Sequence, residues 1–506
     1  MLFLSTIAMS ASAERCASSQ KILGMYVHQH WPYNHPYAAR TWTLDDWRGY
    51  VHGLRQLGYN TIMIWPMTET MPDPLTESDH AALDKIRRVI DMLHADFGMT
   101  VWIALCPNVA ANSEEAAKST FEERHFFYCD TRINPGDSTA LAKFMQRREQ
   151  LLRPLAKADA FAIIDSDPGG YPGSTNADFV RLLGEHRKLF DRLRPGIELV
   201  YWMHTGWEAY CRFYRTGQFT MGTEAQQIDC LRRLAEMNPE PWGIANGLPF
   251  AQKLGLAHKV VSFNYGRIEG EPSFPMTNFG GEAAYEGGKS ATERGVMGNA
   301  QTHCLQLPNT FAFARGAQDL PLTKADCIQF AEGLIPDRGA LILRAWTALS
   351  GTDSREMREV ASQLEKVPQG NLATGKLRGL LFGSPQRFMN DLVLQLRMRA
   401  AAEEFYAAAA KKETVKESLG QFVAAAETWQ RRHGCENFWW DPKLRDALRA
   451  LDSPRINELL DLDYNARGPL APGETPFDQV QVAFRRIETH TPTLLEAMRD
   501  AVSRLP

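Results

Sequence analysis

From residue 21 the chain alternates short apolar runs with amphipathic stretches of helical period. The runs KILGMYVHQHW, YNTIMIWPM, MTVWIALCPN, DAFAIIDSDPGG and IELVYWMHTGW read as strands. Between them TLDDWRGYVHGLRQLG, SDHAALDKIRRVIDMLHADFG, TALAKFMQRREQLLRPLAKA and NADFVRLLGEHRKLFDRLRPG place apolar residues three and four apart, the signature of one buried helix face. Three weaker strands follow, PWGIANG, HKVVSFNYG and RGVMGNAQTHC, with the short helix PFAQKLGLA between the first two. Strands that alternate with helices build a parallel sheet, and eight of them close a (β/α)8 barrel. The open doubly wound sheet is the competing α/β fold, but no GxGxxG follows the first strand. Beyond residue 350 the pattern changes to helices alone, in REMREVASQLEKV, in the Ala-rich stretch GSPQRFMNDLVLQLRMRAAAEEFYAAAAKKETVKESLGQFVAAAETWQRR, and in DPKLRDALRALD. The expected organisation is a barrel over 14–350 and a mostly α-helical C-terminal domain over 351–506, structural or substrate-shaping, with CENFWW as an aromatic plug between its helices.

Length agrees with two units, since 506 residues exceed the roughly 250–300 at which a single core stops growing. With 56 Lys and Arg against 60 Asp and Glu, the net charge of −4 gives no basic field to hold nucleic acid. No stretch reaches the ~18 apolar residues of a membrane span. The opening MLFLSTIAMSASAER is an apolar run closed by Ala11-Ser12-Ala13, a small-x-small cleavage pattern, so residues 1–13 read as an export signal and the product as secreted or periplasmic. The eight cysteines (16, 106, 129, 211, 230, 304, 327 and 435) contain no CxxC pair. Cys106 sits in an apolar run and reads as core, whereas Cys129 and Cys211 lie in loop-like surroundings where an oxidising compartment can pair them.

Barrel enzymes carry their chemistry where the strands end at their carboxyl termini. The first strand ends in Tyr26, His28 and His30, spaced by two and so on one face, followed by Trp31; the second ends at Trp65, the third at Cys106-Pro107-Asn108. The fourth gives Asp165-Ser166-Asp167-Pro168-Gly169-Gly170: two carboxylates two apart, then a sequence that forces a turn. Crowded carboxylates drive their pKa values apart, which suits acid catalysis, although an Asp before Pro also simply starts turns. The fifth strand ends in Trp202, His204 and Trp207, the seventh in Asn264 and Tyr265 with Glu269 and Glu271 beyond, the eighth in Asn299, Gln301 and His303. Indoles that stack on sugar rings and neutral groups that bind hydroxyls, converging on carboxylates, describe a carbohydrate site. The expected subsite residues are His28, His30, Trp65, Trp202, His204, Asn264, Tyr265, Asn299 and Gln301.

On these residues the chain resembles the TIM-barrel glycoside hydrolases with paired acids at the end of strand four: the family 18 chitinases, the family 20 and 84 hexosaminidases, and the family 115 alpha-glucuronidases with their helical extension. The resemblance covers roughly residues 21–350 and implies Asp167 as general acid and Asp165 as the carboxylate that orients or polarises. It departs from the chitinase DxxDxDxE pattern, because the pair here is DSD before Pro. A second carboxylate, Glu269 or Glu271, is the alternative to a substrate acetamido group as the acid's partner: at ~5 Å separation it implies retention and at ~6.5–9.5 Å inversion. No cofactor or metal is implied, and carbohydrate is the expected partner, with no nucleic acid and no membrane.

Two other classes compete. A metal-dependent hydrolase would use His28-x-His30 as its first-strand pair with His204, but a later histidine on strand six and an aspartate ending strand eight are missing. An inactivated barrel that only binds sugar needs the tryptophans without the acids.

Overall fold

The computed structural model describes residues 21–29, 31, 33–124, 131–166, 168–216, 220–270, 273–274, 279, 281–368, 372–434, 439–461 and 490–505. Eight parallel strands close a barrel: β1 (Ile22–His28), β2 (Thr61–Trp65), β3 (Thr100–Leu105), β4 (Ala160–Ile164), β5 (Glu198–Trp202), β6 (Trp242–Ala245), β7 (Val260–Asn264) and β8 (Gly295–Ala300), each hydrogen-bonded to its neighbours in sequence, with β8 returning to β1. All eight sequence-predicted strands are present. Between them run the helices α1 (Leu44–Gln56), α2 (Glu77–Phe97), α3 (Ser138–Leu152), α4 (Asn176–Leu193), α5 (Glu224–Met237), α6 (Leu248–Lys253), α7 (Glu282–Lys289) and α8 (Leu307–Ala317). Four of them, α1, α2, α4 and α5, begin in reciprocal capping boxes: Thr43 with Asp46, Thr76 with Asp79, Thr175 with Asp178, and Thr223 with Gln226. Each satisfies two otherwise orphaned backbone donors and so fixes where the loop from the strand ends and the helix starts.

Strand residues alternate between barrel interior and helix layer. Trp202 belongs to the interior, where its ring lies 5.3 Å from Tyr26, 4.5 Å from Phe263 and 6.2 Å from Trp65, so β1, β2, β5 and β7 each contribute one ring to an aromatic layer beneath the barrel mouth. Tyr201, one residue earlier, packs on Phe179 of α4 and so faces the helices.

After α8 the chain is helical, with segments at Lys324–Leu334, Gly339–Ser350, Ser354–Glu365, Pro385–Lys411, Lys416–His433, Pro442–Arg449, Pro454–Asp461 and His490–Arg504. The long Ala-rich stretch is two helices, because Lys412 turns left-handed (φ 57°) and ends the first. These helices pack on the β1–α1 side of the barrel. Gly49 of α1 meets Gly379 backbone to backbone, so a Cβ on Gly379 would fall 2.0 Å from the Gly49 carbonyl oxygen. The loop after β1 is bolted to the helix ending at His433: Asn34 donates through Nδ2 to the carbonyls of Arg431 and Arg432, both at 3.1 Å, and its backbone N–H reaches the His433 carbonyl at 2.9 Å. Buried Asp391 accepts from Tyr37 (2.9 Å), Arg387 (2.5 Å) and Arg432 (2.7 Å). The CENFWW segment was expected between helices; instead the backbone of Trp439–Trp440 pairs in parallel with Ser273–Phe274 of the β7–α7 loop, and residues 435–438 lie outside the described residues.

Candidate active site

Three buried carboxylates hold the carboxyl-terminal rim of the barrel together. After β2, Glu69 accepts from the Cys106 backbone N–H at 2.8 Å and from Arg148 at 3.1 Å, while Arg148 also donates to the Cys106 carbonyl at 2.7 Å, so the pair joins the ends of β2 and β3. After β4, Asp165 accepts four hydrogen bonds: Tyr201 Oη (3.0 Å), Ser166 Oγ (3.0 Å) and the backbone N–H groups of His204 (3.2 Å) and Gly206 (3.1 Å). Since Tyr201 faces the helices, so does Asp165. Burial pushes its carboxyl above the usual range, opposed by these donors. After β7, Glu269 accepts from the Gln301 N–H (2.7 Å), the Thr302 N–H (2.6 Å) and the Thr302 hydroxyl (2.6 Å), fixing the turn between β8 and α8.

Burial moves the Glu269 carboxyl from 4.5 to about 7 despite those donors. A carboxyl that binds its proton more tightly when folded stabilises the fold fully below the unfolded value and loses that contribution as pH rises through the folded one. Between pH 4.5 and about 7, Glu269 therefore withdraws about 3 kcal/mol of stability. Urea midpoints measured across this window are expected to fall more steeply for the wild type than for Glu269→Gln; parallel curves would show that Glu269 does not titrate there.

Along the β7–β8–β1 arc of the rim an aromatic wall stands. Gln301 at the end of β8 accepts from the Trp31 indole N–H at 3.1 Å and donates to Tyr265 Oη at 2.9 Å, which links β1, β8 and β7. Tyr265 is 43 % exposed, a large ring presented to solvent. Trp31 stacks on Tyr33 with ring centres 6.1 Å apart and planes 9° from parallel. His28 lies behind this wall, 6.1 Å from Tyr265 and 4.1 Å from Tyr26. In the strand order β8 lies across the barrel from β4, and β1 from β5.

The structure thus sorts the sequence-predicted residues. His28, Tyr265 and Gln301 come together in the wall. Trp65 and Trp202 form the floor beneath it, each 4 % exposed, with the Trp65 indole directed at Glu69 at 3.4 Å. His204 is exposed at the β5 end. Two others hold loops. Asn264 turns toward α7, donating to the Gly287 carbonyl and to Ser290 Oγ, both at 2.6 Å. Asn299 is fully buried, its amide accepting from the Gly266 N–H (2.9 Å) and donating to the Glu269 carbonyl (2.7 Å), so both side chains brace loops. Cys211 is a buried free thiol whose sulfur accepts from the Tyr171 N–H at 3.3 Å; Cys129 lies outside the described residues. Asp167, His30 and Glu271 also lie outside them. The chain beside Asp167 is fixed on both flanks. Ser166 is fully buried, while Gly170 has φ 81°, its carbonyl accepts from Asn108 Nδ2 at 2.9 Å, and a Cβ on Gly169 would fall 2.7 Å from Pro107 Cγ. Among the described residues no three His, Cys, Asp or Glu side chains are grouped as a metal site. Sequence reasoning missed Glu69 and Arg148, which are 79 residues apart and carry no local motif, and Ser166, hidden between two more conspicuous acids.

No protein-family model matches the chain, and no curated protein sequence does. Solved structures do. A GH138 enzyme targeting pectin rhamnogalacturonan II is 9 % identical, aligning over 89 % of this chain and 69 % of its own with a TM-score of 0.47. CpGH84D is 11 % identical over 95 % of this chain and 69 % of its own, TM-score 0.38. PhdJ bound to a substrate intermediate is 13 % identical over 73 % of this chain and 95 % of its own, TM-score 0.30. All three scores fall below 0.5, so the functional case rests on the rim itself.

Proposed function

We propose that the chain is a glycoside hydrolase acting on an oligo- or polysaccharide, with Asp167 as the general acid and Asp165 as the residue that holds the β4–β5 turn. The observation that carries this reading is the Trp31–Gln301–Tyr265 wall, on strands that include those opposite β4 and β5 in the barrel order, above a floor of four aromatic rings. Ring faces offer a sugar its apolar C–H surface, and the adjoining amide, phenol and imidazole groups can bind its hydroxyls without charge. A mouth built this way, beside an acid at the end of a barrel strand, suits cleavage of a neutral, hydroxyl-rich substrate by proton donation to the leaving oxygen.

The wall gives the test. Titration with oligosaccharides is expected to change intrinsic tryptophan fluorescence, and Gln301→Ala, which frees both aromatic rings, to weaken that binding about tenfold. The same variant should raise KM by a similar factor with kcat little changed, since the wall does not touch the bond that breaks. A protein that binds no saccharide, or a Gln301→Ala variant with unaltered KM, would remove the basis of the reading.

A further inference from the structure

Hydrolysis at a sugar carbon needs a base as well as an acid, and a base needs an acceptor position open to the cleft. Glu69, Asp165 and Glu269 have none: all three are buried, and their oxygens are taken by donors of the protein. His204 differs. Its side chain is exposed at the end of β5, and its Nδ1 lies 3.0 Å from Ser166 Oγ and 3.0 Å from Thr205 Oγ1. The hydrogen bonds around Ser166 favour one placement of the proton. Ser166 has one hydroxyl proton, which goes to Asp165 Oδ1 at 3.0 Å, and it already accepts from the Thr205 N–H at 3.3 Å. The lone pair that remains is open to a donor on His204, and a ring that gives its Nδ1 proton to Ser166 keeps an acceptor at Nε2.

We infer that His204 is the catalytic base of this site, with Ser166 and Asp165 as positioning residues that set its tautomer. The inference rests on the glycosidase reading. In the step, a water oxygen bonds to the anomeric carbon and gives a proton to His204 Nε2. The bond from that carbon to the glycosidic oxygen breaks, its electron pair stays on that oxygen, and Asp167 supplies the oxygen's proton. Solvent then takes the proton from His204 and restores the one on Asp167. Direct attack by water inverts the anomeric centre. Asp165 acts at one remove, like a carboxylate that orients a catalytic imidazole, here through a serine hydroxyl.

The experiment compares wild type, His204→Ala and Ser166→Ala on a glycoside that the wild type cleaves, with and without added imidazole, and follows the product anomer by NMR. His204→Ala is expected to lose about 100-fold in kcat and to regain much of it with imidazole. Ser166→Ala should lose activity without imidazole rescue, because its own imidazole is still in place. In ¹⁵N spectra, assigned by difference with His204→Ala, the neutral His204 ring of the wild type should carry its proton on Nδ1, and Ser166→Ala should shift toward the other tautomer. Full activity in His204→Ala, a retained product anomer, or a wild-type ring protonated on Nε2 would each overturn the assignment and leave the glycosidase reading standing. A wild type that cleaves no glycoside overturns that reading itself and the base assignment with it.

Discussion

Asp167→Asn is expected to lower kcat at least 100-fold on any glycoside with a poor leaving group, while the protein keeps its unfolding midpoint. The substitution replaces a proton donor by an amide of the same shape, and general acid catalysis contributes roughly 10²–10⁴-fold. The loss should shrink on aryl glycosides whose leaving group departs without a proton, a contrast that separates a missing acid from a damaged site. The flanks of the residue support a clean result: Ser166 is held by Asp165 and His204, and Gly170 is tied to Asn108, so the turn does not depend on the Asp167 side chain alone. Unchanged turnover on both substrate types would remove Asp167 from the mechanism.

Asp391→Ala is expected to destabilise the protein by about 3 kcal/mol. This carboxylate is 1 % exposed and joins Tyr37 of the β1 loop to Arg387 and Arg432 of two C-terminal helices. Deleting one member of a buried ionic cluster leaves the other charges uncompensated, at a cost of about 3–5 kcal/mol. The lower end applies because the Arg432 side chain is 33 % exposed and can turn to water. The same loop carries Trp31 into the aromatic wall, so loosening it should also raise KM. Urea denaturation gives the first effect and steady-state kinetics the second; a midpoint equivalent to less than about 1 kcal/mol of change would show that the helices are not fastened to the barrel through Asp391.

The strands were legible because each is a short apolar run closed by polar residues at the rim, and burial on both faces of a parallel strand writes that pattern directly into sequence. The break in the long C-terminal helix was not, since Lys412 is a good helix former and its left-handed turn is imposed by the packing of the two helices on either side of it. At the site, residue types that bind sugars were visible but their directions were not. Asn264 and Tyr265 are adjacent, yet strand alternation sends one toward α7 and leaves the other exposed. Asp165 looked like half of a catalytic pair because a spacing of two implies one face. Which face it was depended on Tyr201, 36 residues away, and on four donors from a neighbouring turn. Glu69 and Glu269 show the same limit: a buried carboxylate that staples backbone N–H groups and one that protonates a substrate are the same letter in a sequence, and only the donors around them tell the two apart.

The central claim is that this barrel breaks glycosidic bonds with a carboxyl acid on β4. The most direct measurement is product release by the purified protein on a broad panel of aryl glycosides and polysaccharides, run beside Asp167→Asn and with a chelator in parallel wells. Cleavage that survives the chelator and falls at least 100-fold in the variant is the expected result. Cleavage abolished by the chelator, or none on any glycoside, would contradict it.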